Sequence, residues 1–209
     1  MKPMPPQDPT LDYYEKNAKK LAPRYEASRL GLLHSRLEEV LPKGKPILEL
    51  GCGTGRDAAW LLGRGFNIQA TDASPAMLRA ALRLHPELRG RLRLLALPEG
   101  LETIPDESYG SVCALAMLMH LTEDSLPGVF REVRRVLEPG GLFFFSVSLS
   151  RPGMGADGRD ESGRFFLIRD EAWWRGLAGR QGFRVLSGQV SGDGLDREEV
   201  RWLNVLARR

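Results

Sequence analysis

A short apolar run, Ile47-Leu48-Glu49-Leu50, passes without a spacer into glycines at 51, 53 and 55. Alternate glycines straight after a strand let the backbone turn tightly and approach a ligand closely, because no Cβ stands in the way. A helix is expected to begin near Arg56, so the loop lies at a helix N-terminus, whose first N–H groups have no partner inside the helix. Strand, glycine turn and helix in this order point to an open α/β sheet, which binds nucleotide-like ligands at the carboxyl ends of its strands. The spacing narrows the ligand. A dinucleotide fingerprint G-x-G-x-x-G needs glycine at 56, where Arg56 stands. No Gly-Lys-Ser/Thr follows to make a phosphate loop.

The rest of the chain keeps the alternation. Apolar runs at 66–71, 92–97, 109–117 and 142–147 read as strands, and 57–62 and 126–137 as amphipathic helices. Another helix opens with Ser74 as N-cap and Pro75 at its first position, and carries Met77, Ala80, Ala81 and Leu84 on one face. Pro139-Gly140-Gly141 is expected to stop a helix and turn the chain. Strands alternating with helices imply parallel pairing with right-handed crossovers. The tail differs, because after a helix at 170–180 the strands 183–190 and 200–207 have only a loop between them, and so pair antiparallel.

The fold class expected is α/β: a single-domain, Rossmann-like three-layer sandwich on a mostly parallel seven-stranded sheet with an antiparallel C-terminal hairpin. Residues 1–10 read as a flexible Pro-rich arm, and 11–209 as the domain. Within it, 11–41 is a helical cap broken at Pro23, 46–148 the ligand-binding core, 149–169 a lid, and 170–209 the C-terminal helix and hairpin. A chain of 209 residues needs no disulfide or metal staple. Its two cysteines, Cys52 and Cys113, form no disulfide scaffold. No apolar run approaches the ~20 residues of a membrane span. The first residues hold four prolines and no apolar core, so no signal peptide is expected and the cytoplasm is the expected location. A net charge of +3 and a pI of about 9.0 are mildly basic and do not by themselves indicate nucleic acid.

Asp72 follows the second strand, 72 − 51 = 21 residues after the first glycine. A carboxylate there can accept both hydroxyls of a ribose; capping the helix at Ser74 is its other reading. At this point the sequence resembles the class I S-adenosylmethionine-dependent methyltransferases of bacterial small-molecule type. Leu48-Glu-Leu-Gly-Cys-Gly-Thr-Gly55 is similar to their first motif, and Thr71-Asp-Ala-Ser-Pro-Ala-Met-Leu78 to their second-strand acid and following helix. Ile104-Pro-Asp-Glu-Ser-Tyr-Gly-Ser-Val112 resembles the entry to their fourth strand, Met117-Leu-Met-His-Leu121 the loop after it, and the stretch 131–145 their fifth-strand entry. Tyr13-Tyr-Glu-Lys-Asn-Ala18 resembles their N-terminal cap. There are departures: Gly110 stands where members place Asp, and the acid expected after the third strand is matched only by Glu99, shifted by a residue or two.

The resemblance implies S-adenosylmethionine as methyl donor, S-adenosylhomocysteine as product, and in-line displacement by a nucleophile of the acceptor. It implies cofactor contacts from Gly51, Cys52, Gly53, Thr54, Gly55, Arg56, Asp72, Ala73, Met77, Leu97, Pro98, Glu99, Ala116 and Met117, with Tyr14 and Arg24 reaching in from the cap. His120 is placed as a general base, because imidazole titrates near neutrality, with loop orientation as its other reading. His34, His85, Cys52 and Cys113 read as structural, and Trp173, Trp174 and Trp202 as core. The lid is expected to carry Arg159 and Arg164 toward an acidic acceptor. The partner expected is a small-molecule acceptor met by a monomer or homodimer, with no membrane and no metal. An RNA base is the lesser alternative, since the arginines are scattered and no aromatic–basic stripe appears. A cofactor-binding protein without transfer activity is the third.

Overall fold

The computed structural model describes residues 8–195 and 197–209. Most of the expected arm lies outside the described residues, and its last part is helix, since α1 spans Pro9–Glu26. Asp8 accepts from the Thr10 N–H at 2.9 Å and Pro9 opens the helix, where its missing N–H costs nothing. The break expected at Pro23 falls instead at 27–30, before α2 (Gly31–Val40). Pro23 lies in the last turn of α1, and its carbonyl still accepts from the Ala27 N–H at 3.1 Å.

The core elements follow as β1 (Pro46–Leu50), α3 (Arg56–Gly63), β2 (Asn67–Asp72), α4 (Pro75–Leu84), β3 (Leu92–Leu94), β4 (Tyr109–Leu115), α5 (Leu126–Val136) and β5 (Leu137–Ser148). They are completed by α6 (Glu171–Arg180), β6 (Arg184–Ser191) and β7 (Trp202–Arg208). The seven strands run in the order β3-β2-β1-β4-β5-β7-β6. β1 to β5 pair in parallel, and β7 pairs antiparallel with both β5 and β6. The order reverses between β1 and β4, so the crevice of an open α/β sheet opens beside the loop after β1.

Two strand boundaries differ from expectation by more than two residues. β3 ends at Leu94 rather than at 97: Leu95 makes a last bond to β2, donating its N–H to the Asp72 carbonyl at 3.0 Å, and the chain then leaves the sheet. Pro139-Gly140-Gly141 does not turn the chain away: α5 passes straight into β5, where Leu137 pairs with Tyr109 and Leu142 with Ser111. The extra residues form an irregularity in the ladder, with Gly140 at φ +76°.

β4 is buried along its whole length, as a strand covered on both faces must be. On one face Phe130 of α5 meets Phe143, Phe145 and Phe183 edge-on, with centroids 5.3, 5.5 and 6.2 Å away, and Trp174 closes the cluster beside Phe145. On the other, Leu37 of α2 and Leu61 of α3 pack with Ile47, Ile68 and Phe144. The departure at Gly110 has a steric reason, since a Cβ there would stand 2.5 Å from the Cβ of Lys45. Phe130→Ala removes the ring at the centre of the aromatic cluster and is expected to destabilise the fold by about 3–5 kcal/mol. A urea titration checks this; an unchanged midpoint would show that the cluster does not hold α5 to the sheet.

Candidate functional site

The three glycines of the loop after β1 serve different needs. All have positive φ, at +73°, +55° and +79° for Gly51, Gly53 and Gly55. A Cβ on Gly51 would meet Met117 Cγ at 2.3 Å, and one on Gly55 would meet Leu88 Cδ1 at 2.7 Å, so these two allow close packing. A Cβ on Gly53 would meet nothing within 4 Å, and that edge of the loop is open. The loop is held by Cys52 N–H donating to the Thr71 carbonyl at 2.8 Å and Gly53 N–H donating to Asp72 Oδ2 at 2.8 Å. Across the crevice the chain turns after β4 at Ala116, whose φ of +55° is held by its N–H donating to Ser146 Oγ at 2.9 Å.

Asp72 does not itself cap α4. That cap is Ser74 Oγ, which accepts from the Met77 N–H at 3.1 Å, while Asp72 Oδ1 accepts from the Ser74 N–H at 2.8 Å. Each carboxylate oxygen takes one of these backbone bonds and keeps a further lone pair for the cavity. Burial raises the Asp72 pKa above the ordinary carboxylate value. Beneath the loop Glu49 is buried, with Oε2 lacking a partner. Burial, then the Asp57 charge, pushes its carboxyl well up. Asp57 goes the other way: His34 at 2.7 Å and Arg56 at 2.8 Å hold it down against the cost of burial.

α1 roofs the site. Glu15 accepts from Ser74 Oγ at 2.6 Å and from the Ala76 N–H at 2.8 Å, satisfying the start of α4. Glu26 accepts from Thr54 Oγ1 at 2.7 Å and lies 3.2 Å from His85 Nε2. Tyr14 Oη lies 2.9 Å from His120 Nε2, and His120 Nδ1 lies 2.7 Å from the Phe165 carbonyl. That carbonyl only accepts, so Nδ1 carries the proton and Tyr14 donates to the Nε2 lone pair. Burial pulls the His120 pKa down to about 4, and burial raises that of the Tyr14 hydroxyl. A general base needs the lone pair that Tyr14 occupies; in this arrangement His120 links cap, β4 loop and lid.

These elements enclose a cavity of about 450 Å³. Tyr14, Arg24, Gly51, Cys52, Gly53, Thr54, Arg56, Asp72, Ala73, Met77, Leu97, Ala116, Met117 and His120 line it. Gly55 does not, being packed under α4. Pro98 and Glu99 do not either: the chain turns away after Leu97, leaving Glu99 exposed, and Leu95 and Ala96 face the cavity. The Arg56 guanidinium is engaged by Asp57 and by the Tyr25 carbonyl at 2.6 Å, whereas Arg24 stands exposed at the rim.

Of the two lid arginines expected at the site, Arg164 lines the cavity and Arg159 does not; Arg159 donates to the Gly163 carbonyl at 2.7 Å. Trp202, expected in the core, lines the cavity and donates from Nε1 to Asp193 at 2.9 Å, whereas Trp174 is core as expected. Sequence reasoning missed Arg151, Phe166, Asp193, Arg197 and Asn204, which line the same space. For Arg151 the signal was its place in the polar lid; for the residues of β7 and the loop before it there was none, because only the antiparallel pairing of β7 with β5 brings them to the strand ends.

Residues 47–141 match the family described as a methyltransferase domain. Among curated proteins, the methyltransferase YodH of Bacillus subtilis (strain 168) is 29% identical over 160 residues, 74% of this chain and 67% of that one. The malonyl-[acyl-carrier protein] O-methyltransferase of Halorhodospira halophila is 35% identical over 117 residues, which span 55% of this chain and only 39% of the relative. Among solved structures, the 1,6-didemethyltoxoflavin-N1-methyltransferase of Burkholderia thailandensis superposes with a TM-score of 0.67 at 21% identity, covering 96% of this chain and 83% of that one.

His120 stays neutral in the folded chain down to about pH 4, whereas an unfolded histidine titrates near 6.5. Between those values the unfolded chain binds the extra proton, so stability falls as pH drops through this window and is regained above it. His120→Asn is expected to remove on the order of 1–3 kcal/mol of that acid sensitivity. Urea midpoints of both proteins at pH 7 and pH 4.5 measure it; equal losses on acidification would contradict the assignment.

Proposed function

We propose, on the match of residues 47–141 to a methyltransferase domain, that the chain is a class I S-adenosylmethionine-dependent methyltransferase and moves a methyl group from S-adenosylmethionine to a small-molecule acceptor. The observation that carries this reading is the pairing of the open glycine edge at Gly53 with the half-buried Asp72 carboxylate on one cavity. A cavity of about 450 Å³ suits a nucleoside-sized ligand. Asp57 and Asp72 line the cavity against the one guanidinium of Arg56, and this excess of acid suits a ligand that carries positive charge. When bound, S-adenosylmethionine supplies a methyl group on a sulfonium, open to in-line displacement.

The chain's own residues then align and enclose. Asp72 accepts the ribose hydroxyls with the lone pairs that Gly53 and Ser74 leave free. Met77, Leu97 and Met117 offer apolar walls. α1, latched by Glu15, Glu26 and Tyr14, keeps water from the reacting centre. Alignment of this kind is worth up to ~7–11 kcal/mol. A thiolate or a neutral amine as nucleophile needs no base, which agrees with the occupied lone pair of His120. The similar 1,6-didemethyltoxoflavin-N1-methyltransferase supports a small acceptor. Among the described residues no helix is long and apolar enough to cross a membrane. A cytoplasmic setting belongs to the same reading and is supported by two free, buried cysteines.

Calorimetry with S-adenosylhomocysteine tests the pocket. The unaltered protein is expected to bind it, Asp72→Ala to bind about tenfold or more weakly, and Asp72→Asn to fall between. No binding by the unaltered protein, or undiminished binding by Asp72→Ala, overturns the reading. Labelled methyl from S-adenosylmethionine is expected to appear in small molecules of a metabolite extract and not in bulk tRNA; cofactor binding without transfer to either would leave a binding protein instead.

A further inference from the structure

We propose that Arg151 and Arg164 form an anion-binding subsite at the lid end of the cavity, and that the acceptor is a small oxyanion, a carboxylate or phosphate ester, with an apolar body. The inference deepens the methyl-transfer reading above and takes its cavity from it. Both arginines line the space that the glycine loop and Asp72 line, and their side chains are only 15% and 13% exposed. One carboxylate faces them: Asp160 Oδ2 accepts from Arg151 at 3.0 Å and from Arg164 at 2.6 Å. Next to them Arg197 is matched by Asp193 at 2.6 Å. The local sum is therefore three guanidinium groups against two carboxylates, an excess of one positive charge in a half-buried space.

Holding the lid in shape does not account for both arginines. Asp160 already organises the loop through the Ser162 and Arg164 N–H groups and the Ser162 hydroxyl, and a single guanidinium would neutralise it. The second brings like charges together, and burial together with the neighbouring Arg164 depresses the Arg151 pKa. Arg151 Nε is moreover buried with no hydrogen-bond partner. A buried donor left unsatisfied is costly, and an oxyanion supplies the missing acceptor with the geometry a guanidinium fork matches. The walls beside it are apolar: Phe166 lies under Arg151 with its centroid 3.9 Å from Cζ, and Met119, Leu121 and Trp202 line the same cavity. Charged fork and apolar wall together select an amphipathic anion.

The probes are benzoate and phenyl phosphate, with benzamide as neutral near-isostere of benzoate, titrated calorimetrically into the full chain with and without saturating S-adenosylhomocysteine. At least one anion is expected to bind, and benzamide about tenfold or more weakly; the preferred anion tells carboxylate from phosphate ester. Arg151→Gln and Arg164→Gln are each expected to weaken the anion about ten- to a hundredfold. Arg151→Lys, which keeps the charge but loses the fork, should lose less. The affinity of each variant for S-adenosylhomocysteine is expected to stay unmoved, which also shows that each has folded. Binding of benzamide as tight as benzoate, binding of neither anion, or variants that hold the anion as the parent does would each overturn the proposal. Failure of S-adenosylhomocysteine to bind overturns the earlier reading instead, since the anion titration without it still reports on the arginine pair.

Discussion

The Asp72 carboxylate accepts the N–H of Gly53 with one oxygen and that of Ser74 with the other, and so ties two neighbouring βα turns to one point. A half-buried carboxylate has to be satisfied, and here the satisfying donors are the backbones of the two turns that shape the crevice. Everything nearby inherits its position from that arrangement. Gly53 is held with its open edge to the cavity, and Ser74 is held where its hydroxyl caps α4. Glu15 of α1 then docks on that hydroxyl, so one continuous set of hydrogen bonds runs from the floor of the site to its roof.

The cavity has two ends of opposite character. Around the glycine loop the charges are Asp57 and Asp72 against Arg56, with Glu49 pushed toward its neutral form by burial beneath them. At the lid they are Arg151, Arg164 and Arg197 against Asp160 and Asp193. Inside a protein such charges are screened less than in water, so each end selects the sign of its ligand. His120 stands between the two ends, bonded to Tyr14 on one side and to the Phe165 carbonyl on the other. It joins α1 to the loop after β4 and to the stretch that carries Phe165.

Much of this was legible in the amino-acid order, and the misses have definite causes. The Ser74-Pro75 helix start was read correctly because cap and proline act locally. Pro23 was read as a break because proline damages helix interiors, but in a last turn little of that damage remains. Pro139-Gly140-Gly141 reads as a turn in isolation, and it stays in the sheet because β4 offers a partner strand to it. The expected length of β3 is too great because Leu95, Ala96 and Leu97 continue the apolar run past the last paired residue, Leu95 as part of the core and all three as wall of the cavity.

What the sequence by itself determined is whatever depends on neighbours along the chain: a glycine turn between strand and helix, an acid at the end of the next strand, and the periodicities that give a parallel sheet with an antiparallel end. What only the tertiary structure decided is which distant groups share one volume. Arg151 and Trp202 meet Gly53 on one cavity although some hundred residues or more separate them from it, and Arg159 turns away although it is five residues from Arg164. Such meetings rest on strand order, on the pairing of β7 with β5 and on a single carboxylate folding the lid around itself. Their energies arise between elements far apart in the chain, and no local pattern of residues encodes them.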